Sequence, residues 1–141
     1  MSYRYNVEVT RIVDGDTVDV DIDLGFGMVY KKQRVRMMGI DTPESRTRNL
    51  EEKFYGKQSK YHLENILKDK DIELLSHDKG KFGRILGELF VGSSEYSINQ
   101  QMIDEYHAVP YYGQSKEDTE QGHLWNKKAL NEQGIIYQAE D

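Results

Sequence analysis

The alternating run "NVEVTRIVDGDTVDVDID", residues 6–23, constrains the fold more than any other stretch of the chain. Polar and apolar residues alternate on both sides of Gly15. This two-residue period is that of strands joined by a tight turn. Val18, Val20 and Ile22 would then face one side of the second strand, and three aspartates the other. The run predicts an antiparallel hairpin with one buried face.

The rest of the chain adds three strands and three helices to this hairpin. A third strand, "MVYKKQRVRMMGI", is closed by Pro43, which cannot continue a hydrogen-bonded ladder. From about residue 50 to residue 67 the apolar spacing becomes helical, and "DIELLS" and "RILGELFV" form the fourth and fifth strands. Ser97 is expected to cap a short helix, and the last helix runs from about Thr119 to Asn131 with Trp125 in the core. The pattern predicts a small closed barrel with attached helices.

Size and composition indicate one compact domain, residues 1–141. The chain has 141 residues, 37% of them hydrophobic, and no cysteine, which excludes disulfides and thiolate metal sites. The net charge is −6, so binding of nucleic acid requires that basic residues gather on one face or that a cation intervenes. No signal-peptide-like or membrane-spanning apolar segment is visible. We therefore expect a cytoplasmic protein that contacts no membrane and is a monomer.

Two acidic turns and two arginines are the candidate site residues. "DGDT" places Asp16 beside one turn, and "DTPE" places Asp41 and Glu44 at another. Carboxylates from two turns would suit a hard cation, although Asp-Gly and Asp-Thr-Pro are also ordinary turn chemistry. Arg36 and Arg84 offer planar forks for a phosphate, and the alternative is a pair of surface arginines that bridge to aspartates.

Three blocks in order, "IVDGDTV", "RMMGIDTPE" and "KFGRILGEL", resemble the staphylococcal nuclease (thermonuclease) family. The resemblance extends from about Val7 to the last helix. It implies an α+β fold, a five-stranded OB-fold barrel with about three helices. It also implies calcium-dependent hydrolysis of DNA or RNA phosphodiester bonds that leaves 3′-phosphate products.

The resemblance further assigns roles to individual residues. Asp16 and Asp41 would be carboxylate ligands of calcium, with Thr42 contributing its backbone carbonyl. Glu44 would be the general base, and Arg36 and Arg84 would bind the phosphate and stabilise the transition state.

The nucleotide pocket departs in part from the family pattern. Lys81 and Tyr112 match substrate-binding positions, whereas Phe82 stands where family members often have tyrosine. The alternative to a nuclease is a non-catalytic OB-fold module that binds nucleic acid or protein. A degenerate module of that kind is expected to have lost at least one of the catalytic or metal-binding side chains, and this chain keeps all five.

Overall fold

The computed structural model describes residues 3–79 and 83–139. In chain order the elements are β1 (Arg4–Asp14), β2 (Thr17–Gly25), β3 (Met28–Met37), β4 (Ile40–Asp41), α1 (Leu50–Leu67), β5 (Ile72–Lys79), β6 (Ile85–Val91), α2 (Ile98–Asp104), β7 (Val109–Pro110) and α3 (Lys116–Glu132).

Five strands close into a barrel in the order β1-β2-β3-β6-β5, with β5 pairing back onto β1. The β3–β6 pair is parallel and the other pairs are antiparallel. β4 and β7 form a separate two-stranded sheet. The closed five-stranded barrel with three helices among the described residues confirms the predicted α+β architecture.

The alternating face of β2 fills the barrel as the sequence predicts. Val18 and Val20 are fully buried and Ile22 is nearly so. They pack with Val35 and Met37 of β3 and with residues of β5, β6, α1 and α2 in one hydrophobic core. Because side chains on a strand alternate, the aspartates between them face outward.

The third predicted strand is two elements rather than one. It breaks after Met37, because Gly39 has a φ of +80°, and resumes as the two-residue β4. The break turns the chain from the barrel to the small sheet, and Asp41 ends that short strand.

The helices begin at polar caps, and α3 corrects one expectation. The Ser97 hydroxyl accepts a hydrogen bond from the Gln100 amide, which confirms the predicted cap of α2. Helix α3 begins at Lys116, three residues before the predicted start, and buries Leu130 against the rest of the chain. Trp125 is 62% exposed and lies outside the core, because it shares the exposed side of α3 with Gln121, Leu124 and Lys128. Among the described residues no helix is both long and apolar enough to cross a membrane.

Candidate active site

The first acidic turn joins β1 to β2 and holds Asp16 in one orientation. Asp14 pairs with Thr17 across the hairpin, so that Gly15 and Asp16 form a two-residue turn. The Thr17 hydroxyl donates to Asp16 Oδ1 at 2.9 Å, and the Thr42 amide donates to Asp16 Oδ2 at 3.2 Å. The buried Asp16 carboxylate is therefore held by residues of both acidic turns.

Arg36 connects the two acidic turns. Its Nη2 lies 3.5 Å from Asp16 Oδ2 and 3.8 Å from Asp41 Oδ1. Its Nη1 donates to the Met37 carbonyl at 2.8 Å, and its Nη2 donates to the Ile40 carbonyl at 2.8 Å. Because two backbone carbonyls fix the planar fork, Arg36 is already positioned before any ligand arrives. The structure thus brings Asp16, Arg36 and Asp41 together.

Glu44 lies just beyond this cluster on a loop that is packed against α1. The Glu44 side chain is exposed and has no hydrogen-bond or ion-pair partner within the described part of the chain. Its backbone meets Gly56 of α1 so closely that a Cβ on Gly56 would lie 2.3 Å from the Glu44 carbonyl oxygen. The next residue, Ser45, is buried and donates its hydroxyl to Asp14 Oδ1. Glu44, the candidate general base, therefore has a backbone held in place by packing and a carboxylate without a partner in the described chain.

The other predicted site residues are placed less completely. Arg84 directly precedes β6, whose first residue pairs with Val35, so Arg84 lies at the start of the segment that runs beside the strand carrying Arg36. Its side chain has no partner among residues 3–79 and 83–139. Tyr112 is 80% exposed, in a loop that the Tyr111 amide anchors to the Gly39 carbonyl at 2.8 Å. Lys81 and Phe82 lie outside the described residues.

The donor set fits a hard divalent cation of the calcium type. Asp16 and Asp41 present carboxylate oxygens to the same nitrogen of Arg36. The Thr42 hydroxyl beside Asp16 is buried and has no hydrogen-bond partner in the described chain. Oxygen donors of this kind are those that calcium takes. Among the described residues no group of three or more His, Asp or Glu side chains is arranged to hold a metal, so backbone and water oxygens would have to complete the coordination shell.

His123 is a site residue that sequence reasoning missed. Its Nε2 lies 2.8 Å from Asp41 Oδ2, so that α3 supports a carboxylate 82 positions away in the chain. No second His stands at metal-binding spacing near His123, so the sequence around it does not mark it as a ligand. Only the packing of α3 against the small sheet reveals the contact, and no local signal could have found it.

Comparison with known proteins shows which family the chain resembles in sequence. The family described as "Staphylococcal nuclease homologue" matches residues 34–136. Over 102 residues the chain is 34% identical to a thermonuclease of Staphylococcus hyicus, covering 70% of this chain and 54% of that protein. A thermonuclease of Staphylococcus intermedius is 31% identical over 93 residues, covering 64% of this chain and 51% of that protein. An uncharacterized endonuclease of Escherichia coli is 28% identical over 95 residues, covering 67% of this chain and 54% of that protein.

The chain is thus a small α+β protein whose closed mixed barrel brings two carboxylates and an arginine together. With the family match over most of its length, the chain belongs to the staphylococcal nuclease family. The chain spans about half the length of the curated relatives it matches.

Proposed function

We propose that residues 1–141 act as one nuclease domain that hydrolyses phosphodiester bonds of DNA or RNA with calcium as its cofactor. The observation that carries the proposal is the convergence of Asp16, Arg36 and Asp41, with Arg36 held by two backbone carbonyls. A pre-positioned guanidinium beside two carboxylates suits a phosphodiester whose negative charge increases during attack.

The protein residues divide the chemical work between binding and proton transfer. Asp16, Asp41 and the Thr42 carbonyl would hold calcium, which when bound neutralises the carboxylates and polarises the phosphate. Glu44 takes the proton of the attacking water, because its carboxylate is exposed and free of partners. Arg36 and Arg84 bind the phosphate oxygens, and Lys81 and Tyr112 contact the neighbouring nucleotide. The family resemblance implies that cleavage leaves 3′-phosphate products.

The test compares Glu44→Gln with Glu64→Gln, an exposed glutamate of α1 that lies away from the site. Single-stranded DNA, duplex DNA and RNA are each incubated with calcium and then with a chelator. We expect calcium-dependent cleavage that falls by about 100-fold to about 10,000-fold in Glu44→Gln, because general-base catalysis typically contributes that factor.

Glu64→Gln is expected to cleave as the unaltered chain does. Near-normal turnover by Glu44→Gln would remove Glu44 from the mechanism. A folded chain that binds nucleic acid but cleaves none of the three substrates would favour the non-catalytic binding module.

A further inference from the structure

A groove with a strongly basic lining runs from the Glu44 loop along α1. It encloses about 550 Å³. Its lining includes five cations and an exposed aromatic ring: Arg46, Arg48, Lys53, Lys57, Lys60 and Tyr61. No acidic side chain of the described chain lines it. We call this feature the basic groove.

Two neighbouring segments build the basic groove. Lys53, Lys57 and Lys60 lie at helical spacings of four and three residues, which places them along one side of α1. Lys53 to Lys60 spans roughly 10 Å of helix. Arg46 and Arg48 come from the loop before α1, and together the two segments form a continuous row of positive charge.

The groove cations are not neutralised by the protein. None of the five has an ion-pair partner within the described residues. Elsewhere in the structure, basic side chains do form ion pairs: Arg34 lies 2.8 Å from Asp19, and Arg4 lies 2.9 Å from Glu73. In a chain of net charge −6, an unpaired row of like charges is a local site for a polyanion.

The groove begins at the candidate catalytic base. Ser45 is one of its lining residues and follows Glu44 directly. Gly56, which lies between Lys53 and Lys57 on α1, is packed against the Glu44 and Ser45 backbone. A chain that occupies the groove therefore enters or leaves the site beside Glu44.

We propose that the basic groove binds the backbone of a single-stranded nucleic acid on one side of the scissile bond, with Tyr61 stacking an unpaired base. Tyr61 is 53% exposed at the edge of the cationic row. Phosphate-binding cations combined with an aromatic platform are typical of single-strand sites, because only an unpaired base exposes its face. This assignment rests on the proposed nuclease function and names its substrate as an unpaired strand several nucleotides long.

The first test is equilibrium binding of a fluorescent 15-nucleotide DNA strand in the Glu44→Gln background, over a series of salt concentrations. Arg48→Gln/Lys53→Gln/Lys57→Gln removes three groove charges, and Lys31→Gln/Lys68→Gln/Lys70→Gln removes three exposed charges elsewhere. For the groove variant we expect at least about tenfold weaker binding and a salt slope smaller by about 2, since each lost phosphate contact on a single strand contributes about 0.7. The control variant is expected to keep the slope, and an equal change in both variants would overturn the assignment.

The second test concerns Tyr61. Tyr61→Ala is expected to weaken single-strand binding by about tenfold, because one stacked base contributes about that factor, and Tyr61→Phe is expected to restore it. Duplex binding is expected to change little. An equal loss for the duplex, or no loss for the single strand, would overturn the stacking role.

Cleavage by the unaltered chain, measured in parallel, separates the two proposals. If it cleaves in calcium and the groove variant binds like its control, the groove assignment fails and the nuclease proposal stands. If binding depends on the groove but the unaltered chain cleaves no substrate, the groove assignment stands and the nuclease proposal fails.

Discussion

His107 is the most buried of the four histidines, at 6% exposure. Its ring stacks on that of His62 with centroids 4.0 Å apart, and His62 Nε2 lies 2.8 Å from Glu105 Oε1. Burial is the main reason that the pKa of His107 is lowered to about 4; electrostatic repulsion from the neighbouring His62 ring contributes in the same direction, and the Glu105 carboxylate acts in the opposite one. The folded protein therefore holds this imidazole neutral at pH values where the unfolded chain would protonate it.

The lowered pKa of His107 makes stability depend on pH. As pH falls from 6.5 toward 4, the unfolded chain binds a proton that the folded chain does not, so the free energy of unfolding decreases. The stabilisation is fully present above about pH 6.5. We expect His107 to contribute about 1 to 2 kcal/mol to the free energy of unfolding at neutral pH. This is less than its full pKa shift implies, because solvent in the adjoining cleft screens the charge.

Urea unfolding at pH 7 and near pH 4, compared between the unaltered chain and His107→Gln, measures this contribution. The difference in the free energy of unfolding between the unaltered chain and His107→Gln should be smaller near pH 4 than at pH 7, by about 1 to 2 kcal/mol. A stability difference that stayed constant across this range would contradict the assignment of pH dependence to His107.

Helix α1 depends on one glycine for its position against the Glu44 loop. A Cβ at Gly56 would lie 2.3 Å from the Glu44 carbonyl oxygen and 2.7 Å from the Ser45 amide nitrogen, both of them backbone atoms. In an isolated helix alanine would be favoured over glycine by roughly 1 kcal/mol. Here the close approach outweighs that preference, because neither backbone segment can yield without moving the loop.

For Gly56→Ala we expect about 1 to 3 kcal/mol of destabilisation, the usual result of overpacking, together with a loss of nuclease activity as Glu44 is displaced. Gly122→Ala in α3 is the comparison, because its Cβ would meet only the Val109 side chain, at 3.0 Å. Thermal unfolding and cleavage rates of both variants provide the measurement. If Gly56→Ala were as stable and active as the unaltered chain, the Glu44 loop would not depend on this contact.

For the whole molecule, the arrangement of charge matters more than its sum. The Arg34 guanidinium, hydrogen-bonded to Asp19, lowers the pKa of that carboxyl, so part of the acidic run on β2 is neutralised by the basic run on β3. Lys31 lies near Asp21 and Asp23 at the far hairpin. Five basic side chains without ion-pair partners in the described chain are gathered in the basic groove, and nucleic-acid binding can therefore be local on an acidic protein.

Calcium binding is expected to stabilise the whole fold, because a ligand that binds only the folded state adds its binding free energy to the free energy of unfolding. At a calcium concentration of about 100 Kd the gain is about 2.7 kcal/mol, which corresponds to a rise in Tm of roughly 8 to 10 °C for a domain of this size. For each variant, Tm in calcium is compared with Tm in chelator.

Asp16→Asn should abolish the calcium-dependent rise in Tm, because it removes a proposed ligand. His123→Ala should reduce the rise to about half, the effect of a tenfold weaker affinity when a residue that orients a ligand is lost. His77→Ala is the control, since His77 contacts Glu88 outside the site. No rise in the unaltered chain at millimolar calcium would contradict calcium as the cofactor.

The sequence by itself determined the barrel strands and the positions of the acidic turns. Alternation at Val18, Val20 and Ile22 is a local signal, since a strand buries every second side chain, and the Ser97 cap is equally local. The order of the three blocks identified the family before any contact was known. Asp16 and Asp41 could be proposed as partners from that resemblance.

Only the tertiary structure decided which side chains meet. The His123–Asp41 contact, the approach of Gly56 to Glu44 and the exposure of Trp125 depend on how helices pack against the barrel. The basic groove likewise combines a loop with one side of a helix, and the contact between these two segments is set by packing. Spacing along the chain sets the face of a helix or strand on which a residue lies. Which segment packs against that face is decided by contacts between distant parts of the chain, and such contacts leave no periodic signal in the sequence of either segment.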